Sequence, residues 1–411
     1  MSQLTPFRAL RPAVTAAPRV SSVPYDVVST GEARALAAGE PLSFLRVTRS
    51  EIELPEGTDP YSPAVYERAA RNLESLRAAA PLETEADASL YLYRLRMGDH
   101  VQTGVAGAFS VDEYDRDLVR KHERTRRNKE DDRTRHIVTL RAQTGVVFLT
   151  YRASAGVDRL VEDACAAPPL YDFTSADGVA HAVWRVAPEA RDALVAAFAR
   201  VPILYIADGH HRAASAARAR AELAAGRAPR PAAPGAGDPA TFLAVAFPHD
   251  QVRILPYHRL VRDLAGRSAE AFLAELERRF RFVADAPQPS ARGRVSVHLG
   301  GVWRTFELPA PGDGASPLAR LDCNLLQEQV LAPLLGIGDP RTDQRIDFVG
   351  GIRGTVELER RVGAGAAAVA FAMHPVTVDD LLAVADAGEV MPPKSTWFEP
   401  KLRDGLLVHE I

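Results

Sequence analysis

Apolar residues occur along this chain in two patterns that predict two kinds of element. Continuous apolar runs of strand length are found at 146–151, 203–207, 242–247 and 366–373. Helices are predicted at 32–38, 61–80, 189–200, 268–280, 318–335 and 378–387. Strand pairs that turn at 97–100 and at 300–301 indicate two hairpins. Because strands and helices interleave, the pattern predicts an α/β fold, with α+β as the alternative.

Residues 226–239 interrupt this pattern with Pro, Gly and Ala, and they predict a flexible surface loop. The loop separates an N-terminal α/β part, 1–225, from a C-terminal α/β part, 240–411. A length of 411 residues is consistent with two or three domains. We expect the C-terminal part to share one cleft with the N-terminal part, because candidate site residues occur in both.

Composition narrows the class of protein. Hydrophobic residues make up 46% and charged residues 25%, which is typical of globular chains. The net charge of −3 argues against a protein that binds nucleic acid through bulk charge. No apolar run approaches membrane-spanning length, and the N-terminus shows no signal peptide. The chain has only two cysteines, Cys165 and Cys323, which are far apart, and we therefore expect it in the cytoplasm. We expect a small-molecule substrate. The oligomeric state is left open.

Lysine is rare and clustered in this chain. Lys and Arg total 50, but only four are lysine: Lys121, Lys129, Lys394 and Lys401. A compact ammonium is not equivalent to a guanidinium where a point charge must meet a phosphate. The two short segments that keep lysine are therefore candidate sites, with chance clustering as the alternative.

The strongest candidate site is a turn between a buried strand and an Ala-rich helix. Gly209 permits a tight turn, and the helix that follows exposes free N–H groups at its positive end. The predicted phosphate-binding residues of this turn are Asp208, Gly209, His210, His211 and Arg212. Alternatively, Asp208 only caps the helix, or Asp208, His210 and His211 bind a metal ion, although adjacent histidines rarely point to one ion.

A second candidate is the segment 120–136, in which fourteen of seventeen residues are charged or His. Drawn as a helix, it has no apolar stripe and cannot be held by ordinary core burial. One face would carry His122, Arg126, Lys129, Arg133 and His136. A solvated helix is the alternative. A carboxylate beside cations suits a general base in phosphoryl transfer, and the predicted catalytic residues are Lys121, His122, Glu123, Lys129, Glu130 and Arg133.

Two further loops carry isolated cations. Residues 391–401 contain three prolines and two lysines, and they could fold over a ligand or form a buried structural loop. Residues 347–354 form a Gly-rich turn with Arg353. We expect Lys394 and Arg353 to contribute to nucleotide binding. No metal-binding residues are assigned.

Several of these stretches together resemble one family along almost the whole chain. The chain is identified as a member of the domain-of-unknown-function family 1015 by the stretches 5–8, 24–28, 121–125, 129–133, 208–212, 345–348 and 391–401. The turn also resembles the phosphate-binding turn of the ParB/sulfiredoxin superfamily, in which Gly209 and Arg212 match a Gly-x-x-Arg pattern. That resemblance implies a ParB/sulfiredoxin-like phosphate-binding core. His210 and His211 stand where sulfiredoxin has its cysteine, and no helix-turn-helix follows.

The resemblance extends to free serine kinases and implies a function. We expect a nucleotide-dependent phosphotransferase that uses ATP or ADP with Mg²⁺ and acts on a small hydroxyl compound, free L-serine above others. Glu123 would take the hydroxyl proton. One alternative is a nucleotide-binding regulatory protein of ParB-like type without small-molecule turnover. Another is a metal-dependent hydrolase or phosphoserine phosphatase.

Overall fold

The chain divides into two units whose boundary lies beyond the predicted loop. The computed structural model describes residues 3–411, with a first unit of Met1–Val252 and Pro400–Ile411 and a second unit of Arg253–Glu399. Residues 226–239 contain neither helix nor strand. The strand Thr241–Pro248 follows this loop but pairs with two strands of the first unit, so the loop does not separate the units.

A nine-stranded mixed sheet organises the first unit. From edge to edge, its main strands are Val119–Arg120, Leu204–Asp208, Val147–Tyr151, Thr241–Pro248, His100–Ser110, Tyr91–Met97, Ala180–Arg185 and Tyr171–Thr174. Leu4–Thr5 also pairs with His100–Ser110. Leu204–Asp208 runs antiparallel to Val147–Tyr151. The last residues of the first strand therefore lie beside the first residues of the second. The predicted strands and the hairpin at 97–100 are confirmed.

Helices pack on this sheet and on one another, and they complete the mixed α/β architecture that the pattern predicted. The helices are Ala17–Val20, Thr30–Ala37, Leu45–Thr48, Pro63–Ala79, Val111–Asp115, Arg127–Leu140, Ala155–Ala164, Pro188–Phe198 and His210–Ala224. Short 3₁₀ turns lie at Ser50–Glu53 and His249–Gln251. The core of the sheet contains Leu92, Phe109, Leu149 and Ile206, all fully buried.

The C-terminus belongs to the first unit. Its strand Val408–Glu410 lies between Ala9–Arg11 and Ala142–Gln143 in a four-stranded sheet, whose remaining strand is Glu83–Thr84. Residues 400–407 therefore return to the unit that holds the predicted phosphate-binding turn.

The second unit is built on a six-stranded antiparallel sheet. Its strands in order are Phe282–Ala284, Val302–Glu307, Arg294–Leu299, Val369–Met373, Tyr257–Val261 and Ile346–Gly350. A separate pair joins Arg253–Leu255 to Trp397–Glu399. The helical segments are Ala269–Arg279, Leu318–Arg320, Asp322–Leu326, Gln327–Leu331, Ala332–Leu335, Gly351–Arg353, Gly354–Gly363 and Val378–Asp386. The hairpin that turns at 300–301 is confirmed.

Two predicted helices are wrong in their extent. The charged helix begins at Arg127 rather than at residue 120 and continues to Leu140, where apolar residues are buried. Its polar residues are buried too, because Tyr66 donates to Asp132 at 2.9 Å and His136 Nε2 contacts the Val47 carbonyl at 3.1 Å. Partnered polar groups therefore replace the missing apolar stripe.

The predicted helix 318–335 is broken into four short segments. Pro333 lies near the start of the last one and has no N–H to continue the helical bonding. The turn just before it, Gln327–Leu331, is a π-type turn, which widens the helix at that point. Within residues 3–411, no helix combines the length and apolar character needed to cross a membrane.

Candidate functional site

The turn predicted to bind phosphate joins a buried strand directly to a helix. Strand Leu204–Asp208 ends at Gly209, whose φ of +94° is in the left-handed region, and helix His210–Ala224 follows at once. A Cβ at Gly209 would lie 3.3 Å from Cδ of Arg212. No side chain caps the start of this helix. Its first N–H groups can therefore donate hydrogen bonds to an anion.

Asp208 is held as a carboxylate by a cation from the C-terminus. Lys401 Nζ lies 3.1 Å from Asp208 Oδ2, and the N–H of Gly209 donates to Asp208 Oδ1 at 3.0 Å. Burial by itself would raise the pKa of Asp208, but Lys401 and Arg212 hold it well below its ordinary value. The sequence signal for Lys401 was its place among four lysines, although only Lys394 of that segment was assigned to the site.

Both histidines of the turn accept a backbone N–H from the segment 122–126. The N–H of His122 lies 3.4 Å from His210 Nε2, and the N–H of Arg126 donates to His211 Nε2 at 2.9 Å. A ring nitrogen accepts such a bond only without a proton, so each neutral ring carries its proton on Nδ1. Burial lowers the pKa of both histidines. The two bonds hold 122–126 against the start of the helix.

His122 is a buried histidine without an ordinary hydrogen bond at either ring nitrogen. It is 2% exposed, and its ring meets that of His210 edge to face with centres 4.4 Å apart. Burial lowers the pKa of His122 to about 4, while the nearby carbonyl of Ile206 favours the charged form. The ring is therefore neutral at pH 7 and rigidly placed beside the turn.

Arg212 is engaged with protein groups rather than presented to solvent. Its Nη2 lies 2.7 Å from both carboxylate oxygens of Asp26, and its Nη1 donates to the Val146 carbonyl at 2.7 Å. We predicted that Arg212 would bind phosphate oxygens. In the structure its guanidinium joins Asp26 to the turn, and the predicted contact with phosphate stays a prediction.

Two acidic residues beside Arg212 were not assigned from the sequence. Asp26 lies in the stretch 24–28, which carried the family resemblance but no stated chemistry. Asp404 is fully buried, and one of its carboxylate oxygens has no partner. Burial raises the pKa of Asp404 to about 7, although the guanidinium of Arg212 acts in the opposite direction. No local sequence pattern identifies either residue, because both are far from Arg212 along the chain.

The helical face that we predicted for the charged segment is wrong for His122 and Arg126, which lie outside the helix Arg127–Leu140. Residues before Arg127 are not helical, so helical spacing does not apply to Lys121 or His122. Three cations contact aromatic rings instead, with centroid distances of 4.1 Å for Lys121 and Tyr114, 5.5 Å for Lys129 and Tyr61, and 4.3 Å for Arg133 and Tyr25.

The two predicted carboxylates have different surroundings. Glu130 lies on the helix and pairs with Arg218 at 3.2 Å, and its backbone carbonyl accepts a bond from Ser215. Glu123 is half-buried in the segment that His210 and His211 hold against the turn. Glu123 thus belongs to the segment that is bonded to the start of helix His210–Ala224, and Glu130 lies close enough to act on the charge of His211 in the same helix.

Arg353 and Lys394 belong to the second unit. Arg353 ends the short helix Gly351–Arg353 and is exposed, and Lys394 is exposed with a φ of +57°. Their predicted part in nucleotide binding stays a prediction. Among residues 3–411, no group of three or more His, Cys, Asp or Glu is arranged to hold a metal ion, and Asp208, His210 and His211 form no such group.

Comparison with solved structures finds only distant similarities. Solved structures with similar parts include a conserved hypothetical protein from Pyrococcus furiosus, with 12% identity, a TM-score of 0.34, and coverage of 74% of this chain and 94% of that one. A free serine kinase in complex with AMP has 12% identity, a TM-score of 0.36 and coverage of 74% and 91%. SbnI from Staphylococcus aureus, with a C-terminal truncation, has 12% identity, a TM-score of 0.36 and coverage of 74% and 86%.

The comparison with curated proteins gives no match. The family model described as protein of unknown function, DUF1015, matches residues 4–324. This match spans most of the chain and includes both the turn at Gly209 and the segment that holds Glu123. The chain therefore belongs to the DUF1015 family.

Proposed function

We propose that the first unit is a phosphotransferase that moves a phosphoryl group from ATP or ADP to the hydroxyl of a small acceptor, free L-serine. The observation that carries the proposal is the geometry at Gly209. There, an uncapped helix start, the Asp208–Lys401 pair and the segment that bears Glu123 meet at one sheet edge. The resemblance of this turn to that of free serine kinases supports the choice of nucleotide and acceptor.

The phosphates of the nucleotide would lie against the N–H groups that begin helix His210–Ala224. These groups have no capping side chain, and the positive end of the helix favours an anion. Lys401, which is held near the turn by Asp208, adds an ammonium group. Arg212 and Asp26 keep the turn in place. Mg²⁺ bound to the nucleotide would neutralise phosphate oxygens.

Glu123 would act as the general base. The acceptor O–H bond breaks as its oxygen forms a bond to phosphorus, the proton passes to the Glu123 carboxylate, and the bond to the leaving phosphate oxygen breaks. Such transfer depends mainly on positioning and electrostatics, which is why the two histidine bonds to 122–126 matter. His122 is neutral at pH 7 and adds no charge beside the base.

Phosphorus NMR of the full-length protein tests this function. With Mg²⁺, ATP or ADP, and L-serine, we expect a new phosphomonoester, and none with L-alanine, which lacks the hydroxyl. Glu123→Gln should lower kcat about 100-fold or more, because a positioned base contributes at least that factor, while nucleotide affinity stays nearly unchanged. Glu162→Gln is the matched control, since Glu162 is exposed on helix Ala155–Ala164.

The outcomes separate the alternatives. Wild-type turnover by Glu123→Gln would show that Glu123 is not the base. Nucleotide binding without product from any hydroxyl acceptor would favour the regulatory protein without turnover. Absence of nucleotide binding would overturn the proposal for the turn itself.

A further inference from the structure

Arg259 is a buried cation without a carboxylate partner. It lies in strand Tyr257–Val261 of the second unit and is 3% exposed. Its Nη1 donates to the carbonyl oxygen of Tyr257 at 2.5 Å. The groups that act on its charge are Cys323 and Tyr257, and no Asp or Glu of residues 3–411 is among them.

A guanidinium in this position is costly unless something neutralises it. Burial lowers the pKa of Arg259, but an arginine side chain still keeps its proton at pH 7. An isolated buried charge is strongly unfavourable, and proteins ordinarily pair such a group. The neighbouring thiol of Cys323 is no counter-ion, because burial raises its pKa and keeps it neutral.

A second cation, Lys394, lies near the first residue of this strand. Lys394 Nζ is 5.4 Å from the centre of the Tyr257 ring, and Tyr257 is the residue whose carbonyl binds Arg259. Cys323 also connects Arg259 with the segment of Lys394. It lies beside Arg259, and its Sγ is 3.3 Å from Oγ of Ser395, which follows Lys394 in the chain. Both positive side chains therefore contact the same residue, Tyr257.

The segment that carries Lys394 is held in a strained form. Lys394 has a φ of +57°, which a side chain with a Cβ rarely adopts and which the surroundings must enforce. Trp397 supplies part of that constraint, because its ring packs edge to face on Tyr257 at 5.2 Å. Gly350 permits this approach, since a Cβ there would lie 2.5 Å from the Trp397 ring.

The face of the Arg259 guanidinium is also occupied. Its Cζ lies 5.6 Å from the centre of the Phe348 ring. The aromatic contact covers the face of the guanidinium, so a ligand would meet its planar edge, where Tyr257 and Cys323 engage only part of the five N–H donors. Such an edge matches the paired oxygens of a carboxylate or phosphate.

We propose that the second unit binds the oxyanion group of a small molecule, a phosphate or a carboxylate, between Arg259 and Lys394. The bound anion is the counter-charge that the buried guanidinium otherwise lacks. Lys394 at the exposed side draws the anion in, and Arg259 binds it with directed hydrogen bonds. This site stands apart from the phosphotransferase proposed for the first unit and does not depend on it.

Calorimetric titration of the full-length protein tests the site, with inorganic phosphate and acetate in turn at constant ionic strength. We expect Arg259→Met to weaken binding about tenfold or more, because it removes charge-assisted hydrogen bonds. Arg262→Met is the matched control, since Arg262 is exposed just past the same strand. Lys394→Asn removes the exposed cation with a residue that tolerates positive φ, and we expect an intermediate loss.

An effect of Arg259→Met on phosphate alone would identify a phosphate ligand, and an effect on acetate as well would include carboxylates. Any binding at the first unit's turn is common to wild type and Arg259→Met, so it cancels in the difference. The proposal is overturned if wild type binds neither anion, or if Arg259→Met and Arg262→Met bind both equally. If Arg259→Met does not fold, unchanged binding by Lys394→Asn overturns the proposal.

Discussion

Arg212 in the first unit and Arg259 in the second are buried to a similar degree, 6% and 3% exposed, but their surroundings differ. Arg212 faces the carboxylate of Asp26 at 2.7 Å, with Asp208 and Asp404 also close enough to act on its charge. The corresponding neighbours of Arg259 are the backbone carbonyl of Tyr257 and the thiol of Cys323. Burial lowers the pKa of both; for Arg212 the carboxylates more than reverse this effect, and for Arg259 nothing does.

The difference separates two uses of the same side chain. A guanidinium that is paired with a carboxylate of the protein holds segments together, as Arg212 joins Asp26 to the turn at Gly209. A guanidinium buried without a counter-charge has donors left for a ligand. Burial alone therefore does not distinguish a structural arginine from a binding arginine, whereas its partners do.

The largest effect is expected from removing the partner of Arg212. Asp26→Asn leaves the guanidinium buried and poorly compensated, and it should lower the free energy of unfolding by about 3 kcal/mol, as measured by urea denaturation. Asp163→Asn, on an exposed part of helix Ala155–Ala164, should change it by less than about 0.5 kcal/mol. Equal stability of the two variants would remove the contrast between the arginines.

Comparable in size is a pH effect on stability from the second carboxyl near Arg212. The pKa of Asp404 is raised from 3.8 to about 7, so this group favours the folded state at low pH. Its contribution is lost as pH rises from about 4 to about 7, by about 2–4 kcal/mol. Asp404→Asn should abolish that decline.

The quantity to compare is the difference in the free energy of unfolding between wild type and Asp404→Asn at each pH. Buried histidines act in the opposite direction: the pKa values of His122 and His136 are lowered from 6.5 to about 4. They reduce stability as pH falls through that window in both proteins, so their effect cancels. A difference that does not vary between pH 4 and pH 7 would contradict the assignment to Asp404.

A smaller effect of opposite sign is expected at the other arginine. In a buffer without phosphate or carboxylate, Arg259→Met should raise the free energy of unfolding by about 1 kcal/mol, because it replaces an uncompensated buried charge with an apolar side chain. Arg212→Met should lower it. Denaturation curves of both variants, with Arg262→Met as control, measure the contrast. Destabilisation by Arg259→Met would mean that the protein already compensates this charge.

The smallest effect concerns the bonds that hold Glu123 near the turn beside Arg212. His211→Leu removes the acceptor for the N–H of Arg126 and should lower kcat about fivefold, the equivalent of one hydrogen bond, with KM nearly unchanged. His211→Gln keeps a neutral acceptor and should restore most of the rate. If Gln and Leu are equally impaired, acceptance of this bond is not what positions Glu123.

The sequence was most informative where local physics is decisive. The strand at 204–208, the turn at Gly209 and the helix after it were predicted correctly, because an apolar run, a residue without a Cβ and an Ala-rich stretch each favour one backbone form. The charged segment was misjudged for the opposite reason. Its helix forms only because Asp132 and His136 find buried partners on other elements.

The charged pairs in the site could not be predicted from local sequence. Asp26 and Arg212 are 186 residues apart, and Asp208 and Lys401 are 193 apart. No periodicity links such pairs, so the composition of each segment could suggest a charge but not its counter-charge. The backbone elements and the candidate turn are thus readable from neighbouring residues. Which buried arginine faces carboxylates and which does not is set by the packing of distant segments, because electrostatic compensation depends on distance in space rather than along the chain.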